Sequence, residues 1–248
     1  MAVLAGLAGM VAGITLVGAR GLRLALVTGE ICLATPGLIL LALAGIPLRD
    51  GLGIRPVPAR TALLAALAGA TLWGASLGLM NLQFVLWPPP ADFLESFRLL
   101  HQRLRPATFE EGLLSVTAIG LMPALCEETL FRGVVLPSLL RAGSAAGLLG
   151  SAVLFALIHV DTAAGSPAFH RLPFAFAVGL GLGGLRLLTG SLLPCIVAHA
   201  VLNTITFATV FLSGAASEAV DEPQALSGAL FLAFGAAMTA WLFRALRR

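Results

Sequence analysis

Residues 112–140 read GLLSVTAIGLMPALCEETLFRGVVLPSLL, an apolar run whose only charges are Glu127, Glu128 and Arg132. As a helix at about 1.5 Å per residue it is long enough to cross roughly 30 Å of hydrocarbon with room to tilt. The same character extends through the 248-residue chain, which is 58% hydrophobic and 11% charged, with a mean hydropathy of +0.98. A soluble domain is nearer half apolar and about a quarter charged, so the bilayer is the solvent. The runs are continuously apolar and do not alternate at period two, which favours helices over a barrel.

Apolar runs near 2–18, 24–47, 61–87, 112–140, 143–160, 172–188, 190–213 and 226–243 predict an all-α polytopic membrane protein of eight spans. The first run lacks the basic start of a signal peptide and is followed by further spans, so it is expected to be retained. The longest polar stretch, Pro88 to Glu111, is too short for a core of its own, so residues 1–248 are read as one transmembrane domain. In that stretch Phe93, Phe97, Leu100 and Leu104 recur at helical spacing among Arg98, Arg103 and Arg105. Asp92 followed by Glu95 reads as an N-cap signal. This predicts an amphipathic helix in the membrane interface, or equally a loop helix packed on the bundle.

Cys32, Cys126 and Cys195 all fall within apolar runs without disulfide or zinc spacing. The basic residues are all Arg, in keeping with a bacterial genome of high GC content. Eight spans put Arg49, Arg55, Arg60, Arg141, Arg186, Arg244, Arg247 and Arg248 on the side of the termini. Arg20, Arg23, Arg98, Arg103, Arg105 and Arg171 fall opposite, with Glu218, Asp221 and Glu222. The excess of arginine leans towards cytoplasmic termini in a prokaryotic plasma membrane.

Ionisable residues inside spans are costly unless paired, solvated or functional. Here they are Glu30, Glu127, Glu128, Arg132, His159 and His199, joined by the polar Asn203. Glu30, near the start of the second span, is expected at or snorkelling to the interface. His101 and His170 sit in polar connections and receive no role.

The fourth span opens with Thr108 three residues before Glu111, a capping box. Pro123 removes a backbone donor one turn before the acidic pair, where a kink makes room for water. Glu128 and Arg132 are four apart and share a face, so a charge-assisted pair is expected. Glu127 points about 100° away, which leaves its carboxylate free for general-base work. The plainer alternative is that both acids share Arg132 in a packing network.

His199 and Asn203 are four apart on the seventh span, and His159 closes the fifth. Counted from Arg141, Glu127 lies about 21 Å back along one helix and His159 about 27 Å along the next. The two are therefore expected to meet, nearer the face that carries Asp161 and the interfacial helix.

Glu127-Glu128-xxx-Arg132, Phe155-xxx-His159 and His199-xxx-Asn203, in that order over about 110–213, resemble the CPBP family of intramembrane proteases, which includes the type II CAAX prenyl endopeptidases. The resemblance implies peptide-bond hydrolysis within the membrane. Glu127 and His159 would activate a water, His199 and Asn203 would stabilise the oxyanion, and Glu128 and Arg132 would support the site. It implies a membrane-anchored or C-terminally lipid-modified protein substrate, with the bilayer as surroundings and no nucleic acid.

No cofactor is favoured. Zinc on Glu127, His159 and His199 is the alternative, disfavoured because no HExxH pairing occurs. Rival readings are a non-catalytic scaffold or immunity-type binding protein on the same fold, a transporter and a di-iron oxygenase. A transporter would repeat its broken helices in both halves, and an oxygenase would need more than four histidines.

Overall fold

The computed structural model describes residues 1–160, 169–209 and 224–247. Asp161, Glu218, Asp221, Glu222, Arg248 and the end of the expected 190–213 span lie outside them. The described residues are helical with no strand. Helix α1 spans Ala2–Val17, α2 Leu22–Leu43, α3 Ala59–Leu86 and α4 Ala91–Leu104. Helix α5 spans Phe109–Ala142, α6 Ser144–Leu157, α7 Leu172–Thr189, α8 Leu193–Phe207 and α9 Ala225–Leu246.

Six of these helices are long and apolar enough to cross a membrane: α1 (continued to Arg20), α2, α3, α5, α7 and α9. Of the other two expected spans, the helices among the described residues are shorter. Helix α6 has 14 residues and α8 has 15, about 21 and 22 Å of rise against roughly 30 Å of hydrocarbon. Gly143 and Gly190, both at positive φ, set the start of α6 and the end of α7. Short helices leave non-helical backbone at membrane depth, which is tolerated only inside protein or beside water. Ser191 and Leu192, just ahead of α8, are accordingly buried. The Leu192 amide donates to Gly53 O at 3.0 Å, and Ser191 Oγ donates to Arg55 O at 2.7 Å. The architecture is thus the expected all-α polytopic bundle, with six helices of full spanning length and a shorter α6 inside it.

Large apolar side chains such as Leu4, Val11, Leu63, Leu113, Leu125, Phe234 and Trp241 face outward. That is untenable in water and natural against lipid. Inside, small residues let helices meet. A Cβ at Gly235 would fall on the backbone of Ala75 and Thr71, seating α9 on α3, and one at Gly69 would fall on the carbonyl of Ala198, seating α3 on α8 beside His199.

The two ends of the bundle collect the arginines as the topology sorted them. At one end Arg186 Nη2 donates to Leu52 O at 3.4 Å and Arg60 Nη2 to Ala245 O at 3.0 Å. At the other, Arg23 Nε donates to Ser115 Oγ at 2.7 Å and Nη2 to Leu104 O at 3.2 Å.

Helix α4 takes the packed form of the expected amphipathic helix, with Phe93 and Leu104 buried and Leu100 exposed. Its N-cap is Pro90, with no side-chain cap bond. Asp92 lies inside the first turn, which corrects the N-cap expectation. The capping box of α5 is present: Thr108 Oγ1 accepts from the Glu111 amide at 3.3 Å, and Glu111 Oε2 accepts from Ala107 N at 2.9 Å.

Candidate active site

Two prolines shape α5. Pro123 and Pro137 lack the amide that would continue the ladder, and each follows directly on a π-helical segment, Thr117–Leu121 and Thr129–Val135. The helix absorbs each missing donor by widening, a device frequent at functional sites. The expected break at Pro123 is thus a π-turn within a continuous helix. Between the two π-segments lies Met122–Glu128, which carries the acidic pair.

Glu128 and Arg132 are fully enclosed. Arg132 Nη1 donates to Glu128 Oε1 at 2.9 Å, and Nη2 donates to Gly179 O on α7 at 3.0 Å. The guanidinium carbon stands 4.5 Å over the ring of Phe155 on α6, a cation–π contact strengthened by desolvation. The same Glu128 oxygen accepts from His199 Nδ1 at 2.9 Å. One buried ion pair therefore joins α5, α6, α7 and α8. Ser151 Oγ adds a bond to Phe131 O at 3.2 Å.

Glu127 stands apart from that pair, as its place on the helix requires. It is 6% exposed, and its Oε2 lies 4.0 Å from His199 Nε2 with no hydrogen-bond partner. The two acids are thus unequal: Glu128 Oε1 takes both Arg132 and His199 while its Oε2 stays unpartnered, and Glu127 has no bond from Arg132.

His159 follows the end of α6, and from Ala142 to Glu127 and from Ser144 to His159 the chain covers equal lengths, about 22 Å each. The level is the same because α6 stops inside the bundle. His159 Nδ1 lies 2.8 Å from Phe155 O. A carbonyl can only accept, so Nδ1 carries the proton and Nε2 is the free acceptor of the neutral ring. The Phe155 centroid is 4.8 Å from that of His159 and 6.0 Å from that of His199. Among the described residues no hydrogen bond or ion pair joins Glu127 to His159 directly; Phe155 lies between His159 and the ion pair.

Asn203, one turn beyond His199, donates from Nδ2 to Gly120 O in the first π-segment at 3.5 Å. A primary amide has two donor hydrogens, so one is left. The motif residues Glu127, Glu128, Arg132, His159, His199 and Asn203 thus line one region, with His199 turned towards the two acids more closely than towards Asn203.

Among the described residues no group of three or more His, Cys, Asp or Glu side chains is arranged to hold a metal ion. Glu127, His159 and His199 do not form a zinc set in this arrangement, and no step is derived through zinc.

Glu30 is placed differently from expectation. It stands eight residues into α2, and its Oε2 is buried without a partner. His170 does lie in a connection, the turn before α7, but it is buried against Trp87 at 4.1 Å between centroids. His101 on α4 is pushed down to about 4 by burial and then by Arg171, so it is neutral at neutral pH.

Residues 109–205 match the family model for Rce1-like type II CAAX prenyl endopeptidases. The matched region holds every motif residue, and the resemblance of the three motifs stands with it. No curated protein and no solved structure matches the chain. The likeness is to a family of proteases and covers that segment of the chain.

Removing Arg132 leaves Glu128 charged and buried without its partner, a change that costs about 3–5 kcal/mol. Arg132→Ala is expected to lose that much stability on denaturation in lipid or detergent. Arg132→Lys is expected to stay well below the wild type, because an ammonium cannot bond Glu128 and Gly179 together while stacking on Phe155.

Proposed function

We propose that the chain is an intramembrane endopeptidase in which Glu127 is the general base. The observation that carries the reading is the unpartnered Oε2 of Glu127, nearly buried and 4.0 Å from His199 Nε2, within the region that matches the protease family. Glu128 also has an unpartnered oxygen, but its charge is answered by Arg132; Glu127 has no cation of its own, and such a cost is tolerated where the group has work to do.

In the reaction a water oxygen bonds to the scissile carbonyl carbon while one of its protons passes to Glu127. His159, whose Nδ1 proton is held by Phe155 O, turns its free Nε2 towards that water and orients it. Charge gathers on the former carbonyl oxygen, where the remaining amide hydrogen of Asn203 donates together with Nε2 of His199 as an imidazolium, its Nδ1 staying on Glu128; preorganised donors in a dry site are the largest single source of such stabilisation. The C–N bond then breaks and Glu127 returns its proton to the departing amine. Glu128 and Arg132 touch no reacting atom. They fix the orientation of His199.

The substrate class that fits is a membrane-anchored or C-terminally lipid-modified protein, hydrolysed without metal assistance in a prokaryotic plasma membrane. The arginine-rich end formed by Arg49, Arg55, Arg60 and Arg186 supports cytoplasmic termini.

Two outcomes follow. Purified protein in lipid is expected to cleave a prenylated CAAX-type reporter or a membrane-anchored one. Glu127→Ala should lower kcat by about 10²-fold or more, and a strong chelator should leave the rate unchanged. Cleavage that survives Glu127→Ala contradicts the assignment, and loss on chelation restored by zinc contradicts the metal-free chemistry. A cysteine placed at Arg49 in intact cells is expected to resist an impermeant thiol reagent; reaction from outside reverses the orientation.

A further inference from the structure

Helix α7 grips residue 132 twice. The Arg132 guanidinium donates to Gly179 O at 3.0 Å, and the Arg132 main-chain carbonyl accepts from Arg186 Nε at 3.4 Å. Gly179 and Arg186 are seven residues apart, almost two full turns, so one face of α7 makes both contacts. The first contact belongs to the site already described. The second has no part in the proposed chemistry, and Arg186 falls in none of the three motifs.

The reason for the second contact lies in the helix ladder. Across the π-segment Thr129–Val135 the amides reach back five residues, and the last of them, that of Leu136, donates to Phe131 O. The next amide in that register would donate to Arg132 O. It would belong to residue 137, which is proline and has none. Arg132 is fully enclosed, and a buried carbonyl without a donor is costly. The Arg186 side chain brings the missing N–H from a neighbouring helix.

Arg186 is itself held. Its Nη2 donates to Leu52 O at 3.4 Å, and Leu52 is buried against Gly133, where a Cβ would fall on the leucine side chain. Gly53 has positive φ, and a Cβ there would fall on the guanidinium. Nε and Nη2 form one edge of the guanidinium, so the two carbonyls are met at once.

We propose that Arg186 is a positioning residue for the reaction: it supplies the donor that Pro137 removes and so locks the π-register that aims Arg132 at Glu128. The kinetic consequence rests on the endopeptidase reading; the hydrogen bond does not. Without Arg186, the Leu136 amide would satisfy Arg132 O by leaving Phe131 O, which is the step from π to α register. That step moves the widened turn and rotates the acidic pair relative to α7. Arg186 touches no reacting atom and acts through Arg132, Glu128 and His199.

The test is a double-substitution cycle on the full chain in lipid. Arg186→Met removes the donors and keeps an apolar stem, and Pro137→Ala returns the main-chain amide. Carbon-13 at the carbonyl of arginine with nitrogen-15 in glycine marks two bonded pairs in the sequence, Arg20-Gly21 and Arg132-Gly133, which solid-state NMR reads without requiring turnover. The Arg132 carbonyl is expected to move upfield in Arg186→Met, as loss of a hydrogen bond requires, and to return in the double variant, while the Arg20 carbonyl stays. An Arg132 carbonyl indifferent to Arg186→Met, or one that does not return when Pro137 is replaced as well, overturns the proposal.

With a membrane-anchored reporter, kcat is expected to fall about tenfold in Arg186→Met with KM little changed, as misplacement of reacting groups predicts. In the Pro137→Ala background the same substitution is expected to change kcat by less than about twofold. An arginine that merely steadies the end of the bundle would cost the same in both backgrounds, so equal losses overturn the proposal. If Arg186→Met does not fold, Arg186→Lys carries both readings, because an ammonium cannot replace the guanidinium edge at both carbonyls. A wild type that shows the carbonyl pattern yet cleaves no reporter refutes the endopeptidase reading and leaves the role of Arg186 in the helix standing.

Discussion

A guanidinium buried in a membrane protein needs partners for its charge, its donors and its face, and the bundle supplies Arg132 with all of these except at Nε, which is buried without a partner. Its charge is answered by Glu128 at 2.9 Å, one of its amino groups by the carbonyl of Gly179, and its face by the ring of Phe155. Each partner comes from a different helix or holds a residue of the site. Because an unpaired charge here costs several kcal/mol, α6 and α7 are held in register with α5. Because Glu128 also accepts from His199, the register of α8 is included. The geometry around Glu127 is thus a consequence of satisfying Arg132.

A second constraint is the need to bring polar groups from several helices to one depth. Helices that cross the bilayer completely place their ends at its surfaces. Here α6 stops short, so that His159 lies level with Glu127. Helix α8 is preceded by the buried pair Ser191 and Leu192, which bond to the backbone at Gly53 and Arg55. Helix α5 keeps its continuity through two prolines by forming π-segments, and the acidic pair lies between them. Lipid tolerates none of these irregularities on its own, and each is enclosed by neighbouring helices.

Much of this was readable from residue types and spacing. The apolar runs announced the helical bundle, the four-residue step from Glu128 to Arg132 announced their pair, and Thr108 with Glu111 announced the start of α5. Other features carry no mark in a side-chain pattern. The carbonyl of Gly179 that caps Arg132 belongs to a glycine, and the turning of His199 towards the two acids depends on how α8 is seated by the small residues Gly69 and Ala198. The length of a helix cannot be judged from hydropathy alone when its end is enclosed by protein, so the apolar run 143–160 gave no sign that α6 stops at Leu157. Glu30 was assigned to the interface by counting from the start of its apolar run. Arg23 bonds Ser115 and Gly37 packs on Leu130 and Val134 of α5, and Glu30, seven residues from each, shares that face of α2; the spacing has meaning only once those two contacts are known.

The central claim is that Glu128, held by Arg132, fixes His199 through a hydrogen bond from Nδ1. With only four histidines in the chain, nitrogen-15 histidine labelling and solid-state NMR in lipid can read this bond directly. The account predicts a protonated, hydrogen-bonded Nδ1 for His199 whose resonance moves when Glu128 is replaced by Gln, while that of His170, far from the pair, does not. A His199 Nδ1 that is unprotonated in the wild type, or indifferent to the Glu128 substitution, would contradict it.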